Sequence, residues 1–254
     1  ETTDLRILES SVELDAWLDP ETVLINDPFW VNGTIIEAAI DNGNISIELD
    51  GSVIASGAVE DSNWSFSVTA PSNLPAGNYT VLVIFYPDDP ETSTLPEERV
   101  SLTLTLRGTS TLALTGEEYF ARNANASLTG RLLDHLGQPL AERTVSLVWE
   151  GVAAGDRQTA PDGDFGLDHF LPLEHPLGAA QWSASFAGDF LHEASSSTRN
   201  VVVVMQPQIE FDVAGRHFYP GDSFWINGTL AMDNGTSLAG GLVLLIDGVF
   251  VTTF

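Results

Sequence analysis

The run Phe29-Trp30-Val31-Asn32-Gly33-Thr34 returns almost unchanged as Phe224-Trp225-Ile226-Asn227-Gly228-Thr229, and in altered form as Ser127-Leu128-Thr129-Gly130. The three glycines stand 97 and 98 residues apart. A recurrence at nearly fixed spacing marks a repeated structural unit. A second landmark follows each: Ile45 to Asp50-Gly51, Val145 to Glu150-Gly151, and Leu242 to Asp247-Gly248. The first two copies then run on in parallel. Trp64-Ser65-Phe66 matches Asp164-Phe165. Pro75-Ala76-Gly77 leads into Tyr79, Val81, Val83 and Phe85, as Pro176-Leu177-Gly178 leads into Trp182, Ala184 and Phe186. Each copy closes on a β-rich run, Val100 to Leu106 and Val201 to Met205. The third copy stops after its second landmark.

Period-2 alternation dominates these runs, with Val81, Val83 and Phe85 on one face and Thr80, Leu82 and Ile84 on the other. Segments of strand length are separated by Gly, Pro, Asn and Asp turns, and no amphipathic helix of convincing length interrupts them. The reading is all-β, with tandem immunoglobulin-like β-sandwich domains. The repeat places the first at 1–107, the second at 108–206 and the N-terminal part of a third, cut short, at 207–254. Linkers near Arg107-Gly108 and Pro207 are very short, so successive domains are expected end to end, as a rod.

The 254 residues are 43% hydrophobic, enough to fill real cores. Asp and Glu total 36 against nine basic residues, all Arg, for a net charge of −27. A chain so acidic offers no basic face for phosphate, which excludes a general nucleic-acid binder and disfavours docking on anionic lipid. The acidic, lysine-free composition resembles that of proteins from salt-adapted or marine archaea. The absence of Cys removes disulfides, thiolate metal sites and cysteine nucleophiles. No apolar run is long enough to span a bilayer.

The motif order carried by Gly130-Arg131-Leu132, Pro139-Leu140, Val145, Glu150-Gly151, Asp162-Gly163-Asp164-Phe165, Pro176, Gly178 and Phe186-Ala187-Gly188-Asp189 resembles the bacterial and archaeal Ig-like repeats of adhesins and surface-layer-type proteins. The first copy departs from it where Phe85-Tyr86-Pro87-Asp88-Asp89 replaces the F-x-G-D turn. The resemblance implies a sandwich fold and a surface location. It implies no activity, because such modules act as spacers, adhesins and enzyme appendages alike.

No catalytic signature is present. None of His135, His169, His175, His192 and His217 forms a metal-ligand pair of the H-E-x-x-H kind, and His169 and His175 read as solvated loop histidines. A nucleophile elbow and a P-loop are also missing. Calcium is the better chemical expectation. Asp88, Asp89 and Glu91 cluster in one loop, Asp162 and Asp164 flank Gly163 in another, and Glu60 with Asp61 occupies the corresponding loop of the first copy. Calcium collects several such oxygens, but the same residues are also ordinary turn formers.

Alternation sorts the tryptophans. Trp64, Trp149 and Trp182 fall in phase with apolar neighbours and read as core. Trp17, Trp30 and Trp225 fall out of phase and point outward, where they need a cover or a partner. Seven N-x-[ST] sequons occur, at Asn32, Asn44, Asn63, Asn78, Asn125, Asn227 and Asn234. At Asn32 and Asn227 a Trp precedes the Asn by two, hence on the same face, where an N-linked sugar could stack on the indole. A plain strand-to-turn signal explains Asn-Gly equally well.

The function expected from these features is a non-catalytic extracellular structural or adhesive surface protein, with other copies of itself, other surface proteins or glycans as partners. Assembly into a filament or lattice is one variant, with strand addition from a neighbouring copy. The alternative is an accessory region of a larger secreted enzyme, as spacer or carbohydrate-binding module using Trp17 and Trp30.

Overall fold

A computed structural model describes residues 13–36, 43–59, 62–87, 97–213, 226–240, 242–246 and 249–253. The first module has eight strands: β1 (Glu13–Asp19), β2 (Thr22–Leu24), β3 (Pro28–Ile36), β4 (Gly43–Leu49), β5 (Ser52–Val59), β6 (Asn63–Thr69), β7 (Gly77–Pro87) and β8 (Glu98–Arg107). They form a three-stranded sheet β1-β3-β6 and a five-stranded sheet β2-β8-β7-β4-β5. The second module repeats the arrangement with β9 (Ser110–Thr115), β10 (Tyr119–Ala121), β11 (Ala124–Asp134), β12 (Thr144–Trp149), β13 (Val152–Gln158), β14 (Asp164–Leu171), β15 (Gly178–Phe186) and β16 (Ser195–Val204). Its sheets are β14-β11-β9 and β10-β16-β15-β12-β13, the same two orders. In both modules the short second strand pairs parallel with the last, β2 with β8 and β10 with β16. Two sheets so ordered over one core define an immunoglobulin-like sandwich.

The repeat reaches into details. Asp50-Gly51 and Glu150-Gly151 both turn with positive φ, at 51° and 76°, then 46° and 81°. That is the mirror-image turn whose twist matches a two-residue hairpin. A β-bulge follows at one equivalent place in each hairpin, between Ile47 and Glu48 and between Leu147 and Val148. The third copy supplies β17 (Gln208–Val213), β18 (Ile226–Ala231), β19 (Val243–Ile246) and β20 (Val249–Thr253). There β17 pairs with β18, and the β19–β20 hairpin carries a register shift between Leu244 and Leu245.

Alternating burial fills the cores. In β1, Leu14, Ala16 and Leu18 are buried beneath exposed Glu13, Asp15, Trp17 and Asp19. They join Phe29, Val31, Ile45, Ile47, Val81, Val83 and Leu104 in one cluster drawn from both sheets. Leu128, Val145, Leu147, Trp149, Phe165 and Trp182 are buried in the second module. Among the described residues the chain packs as two compact units. One joins Glu1–Thr111 to Leu133–Leu140 and Phe186–Ser195, and the other comprises Leu112–Leu132, Ala141–Ser185 and Ser196–Phe254.

The landmark glycines have one physical cause. Gly33 lies opposite Trp64, and Gly130 opposite Phe165. A Cβ on Gly130 would sit 2.5 Å from Phe165 Cζ and 2.6 Å from the Ala113 carbonyl oxygen. On Gly33 it would collide with the Trp64 ring and the Asp15 carbonyl, and on Gly228 it would come within 2.7 Å of the Glu210 carbonyl. Only glycine lets the central strand approach so near.

Gly33→Ala and Gly130→Ala should each cost about 1–3 kcal/mol, or more if the ring cannot retreat. Gly51→Ala meets no atom within 4 Å and should cost only about 1 kcal/mol for its left-handed backbone. Denaturant midpoints of the three variants would show a graded series if this account is right, and equal losses if it is not.

Candidate functional site

The most distinctive surface is the outer face of sheet β1-β3-β6. Trp17 and Trp30 are 46% and 48% exposed, large values for tryptophan in mid-strand. Trp17 lies directly opposite Asn32, and Trp30 lies opposite Asp19 on β1 and Ser67 on β6. Asn32 lies opposite Ser65, whose hydroxyl donates to Asn32 Oδ1 at 2.6 Å. Side chains directly opposite are nearest neighbours, and diagonal ones remain within reach of an aromatic ring. The face therefore sets two indoles around one carboxamide, rimmed by Glu13, Asp15 and Asp19 on β1 and by Ser65 and Ser67 on β6. Trp225 lies outside the described residues.

The remaining sequons are dispersed. Asn63, Asn78, Asn125 and Asn227 are exposed on strands β6, β7, β11 and β18. Asn44 is exposed on β4, opposite Ala58 and Tyr86. Asn78 Oδ1 accepts from Thr105 Oγ1 at 2.9 Å. Asn125 faces Phe170, itself 56% exposed. Asn234 sits in a turn, where its Oδ1 accepts from the Thr236 N–H at 3.0 Å.

Of the acids expected to collect calcium, Asp162 and Asp164 are among the described residues. Asp88, Asp89, Glu91, Glu60 and Asp61 lie outside the described residues. Asp162 Oδ1 accepts from the Asp164 N–H at 3.1 Å and closes the turn at Gly163. Asp164 is held by Arg131 directly across the ladder, with Nη2 to Oδ2 at 3.1 Å and a second contact from Nε. That guanidinium holds the Asp164 carboxyl below the usual carboxylate range. Among the described residues no three His, Asp or Glu side chains converge as metal ligands. Asp162 and Asp164 thus each have a structural partner within the turn or the ladder.

His169 and His175 are not solvated loop residues. His169 lies in β14 and stacks at 5.6 Å on Trp149, which also meets Phe120 and His175 edge-on. The Trp149 indole N–H donates to His175 Nε2 at 3.0 Å. His175 Nδ1 lies 2.9 Å from the Pro176 carbonyl. The Glu150 carboxylate stands 3.1 Å from the same Nε2. Burial, then the neighbouring His175, pushes the His169 pKa down. Local alternation could not reveal this cluster, because it is assembled from β10, β12, β14 and the turn after it.

The F-x-G-D turn also proves to be structural. Gly188 adopts φ 83°, and Asp189 Oδ1 accepts from the Leu191 and His192 N–H groups at 2.8 and 2.7 Å and from His192 Nδ1 at 3.0 Å. Burial raises the Asp189 pKa, but these hydrogen bonds outweigh it and leave the carboxyl below its ordinary value. The shaped turn then clasps Gly108, whose N–H donates to Leu191 O at 2.8 Å and whose carbonyl accepts from Glu193 N at 3.0 Å. His135 Nε2 lies 3.0 Å from Leu74 O in the same unit. In the other unit, Arg122 and Asp233 form a bidentate pair at 2.6 and 2.7 Å, only 11% and 5% exposed. Asp189 finds its partners within its own turn, whereas Asp233 needs tertiary pairing with Arg122 to be seen.

No family model matches the chain, nor does any curated protein. Among solved structures it is similar to an ICAM-5 D1–D4 ectodomain fragment, at 11% identity and TM-score 0.47, covering 95% of this chain and 74% of that one. It is similar to DIP-gamma IG1+IG2 at 10% identity and TM-score 0.45, covering 77% and 99%. It is also similar to a tetra-tandem repeat in the extending region of a large adhesion protein, at 15% identity and TM-score 0.42, covering 87% and 56%. These neighbours are tandem Ig-like domains and a tandem repeat of an adhesion protein. The fold assignment itself stands on the strand order.

Two stability tests follow from the polar clusters. His169 binds a proton less readily when folded than its ordinary value of 6.5. Below that pH the unfolded chain therefore binds more protons, and stability should fall as pH drops from 7.5 towards 5. A thermal midpoint series should show this slope in the wild type and a shallower one in His169→Gln. Separately, Asp189→Ala strands three donors and should cost about 2–3 kcal/mol by urea unfolding at neutral pH. Asp189→Ser, which keeps an acceptor, should recover part of the loss.

Proposed function

We propose that this chain belongs to a non-catalytic extracellular surface protein, structural or adhesive, built from Ig-like modules at 1–107 and 108–206 and a third copy of the repeat over 207–254. One observation carries the reading: the framework is duplicated down to hairpin turn, bulge and glycine, while the outer faces differ. Position for position, Trp17, Trp30 and Asn32 of the first module give way to Thr115, Ser127 and Thr129 of the second, where the two threonine hydroxyls lie 3.1 Å apart. A scaffold repeated faithfully with changing faces suits display and spacing. The charge of −27 supports solubility at an exposed surface and repulsion of like neighbours. Association with further copies or with other surface proteins is the finer part of the same reading.

Antibody labelling of intact, unpermeabilised source cells should detect the protein, and added protease should strip it. Signal appearing only after lysis would overturn the proposal. Negative-stain images of the full-length protein at rising concentration test self-assembly separately, and particles that stay single throughout would refute that part alone.

A further inference from the structure

We propose that Asn32 carries an N-linked glycan whose first sugar packs its apolar face against Trp17 and Trp30. Three observations lead there. First, the register places Asn32 beside both indoles on one exposed face. Second, the hydrogen bond that the carboxamide accepts, from Ser65 on the β6 side, is made through its oxygen, and Nδ2 is the atom that glycosylation uses. Third, tryptophan and sequon occur together or not at all at this position of the repeat. Trp30 accompanies Asn32-Gly33-Thr34, and in sequence Trp225 accompanies Asn227-Gly228-Thr229. Where the second module has Ser127 in place of the tryptophan, it has Thr129-Gly130-Arg131 and no sequon. The other five sequons have Asn42, Asp61, Ala76, Asn123 and Met232 two residues before the Asn, none of them aromatic. Were the tryptophans there only to satisfy the fold, the second sandwich, with the same strand order, would need one too.

The chemistry is a glycosyl transfer. Nδ2 forms a bond to C1 of a sugar, the C1–O bond to the phosphate of a phosphate-activated glycosyl donor breaks, Nδ2 gives up a proton, and the phosphate leaves with the bonding electrons. The donor and its transferase come from outside the chain, and Thr34 at the +2 position is the residue that the transferase reads. Once attached, the C–H face of a pyranose suits an indole, which offers a broad apolar surface with a negative face. The glycan then covers two aromatic rings that would otherwise stay in water. Sugar binding by the same face from solution would use the same contacts, so the source of the sugar must be tested.

The test uses the full chain purified from its native source. Glycopeptide mass spectrometry after cleavage at Glu should find the Asn32 peptide carrying hexose or N-acetylhexosamine increments. The increments should be lost in Asn32→Gln and in Thr34→Val, the second of which leaves the carboxamide and both indoles in place. Acrylamide quenching of tryptophan fluorescence should rise when the increments are lost. A Trp17→Ser, Trp30→Ser double variant should keep the increments but lose that difference. A bare Asn32 in the native protein overturns the proposal even if the protein is found on the cell surface, so its failure is separable from that of the function proposed above. A glycosylated Asn32 with unchanged quenching overturns the stacking. A bare Asn32 combined with Trp30-dependent capture of free oligosaccharides on an array overturns it in favour of a soluble sugar ligand.

Discussion

The structure depends on a close approach at the middle of each three-stranded sheet. The central strand comes so near its neighbour that the carbonyls of Asp15 and Ala113 occupy the space where a Cβ would stand on Gly33 and Gly130, as Glu210 does for Gly228 in the β17–β18 pair. In the two modules with a third strand in this sheet, an aromatic from that strand fills the remaining volume, Trp64 in one and Phe165 in the other. The contact is steric, and it pins register. Because side chains alternate with period 2, sliding β3 by one residue would drive Trp30 inward and turn Phe29 and Val31 to solvent. A single glycine–aromatic pair thereby fixes the phase of the whole face.

With the inner phase fixed, the outer residues are free to differ. The first module uses that freedom for two half-exposed tryptophans around Asn32, the second for a hydroxyl pair, Thr115 with Thr129. Exposed aromatic surface costs free energy in water, so it persists where something else covers or uses it. The polar clusters act differently. Asp189 gathers three donors and so shapes a turn, and Trp149, His175 and Pro176 satisfy one another. These groups are bound up in holding the fold, which leaves the outer face of β1-β3-β6 as the most distinctive available surface in the first module.

Much of this was legible from residue order. The inward phase of Leu14, Ala16, Trp64, Trp149 and Trp182, and the outward phase of Trp17 and Trp30, follow from alternation along single strands. The hairpins at Asp50-Gly51 and Glu150-Gly151 follow from the turn that acid-Gly favours. His169 and His175 read as loop histidines in sequence because Trp149 and Phe120 come from other strands. A histidine among Pro and Gly resembles a solvated loop residue until Trp149 is brought against it. The partner of Asp164 is hidden for the same reason, since Arg131 meets it only across the ladder.

By itself, the sequence determined the β class, the near-hundred-residue repeat, the acidic surface and which residues of each strand share a face, because all of these are written in spacing and composition along one chain. Only the tertiary structure decided that Trp17 stands opposite Asn32, that Ser65 engages its oxygen and that Arg122 meets Asp233. Most of those partners are separated by long stretches of chain. Their meeting is set by strand pairing and core volume, which no local period encodes.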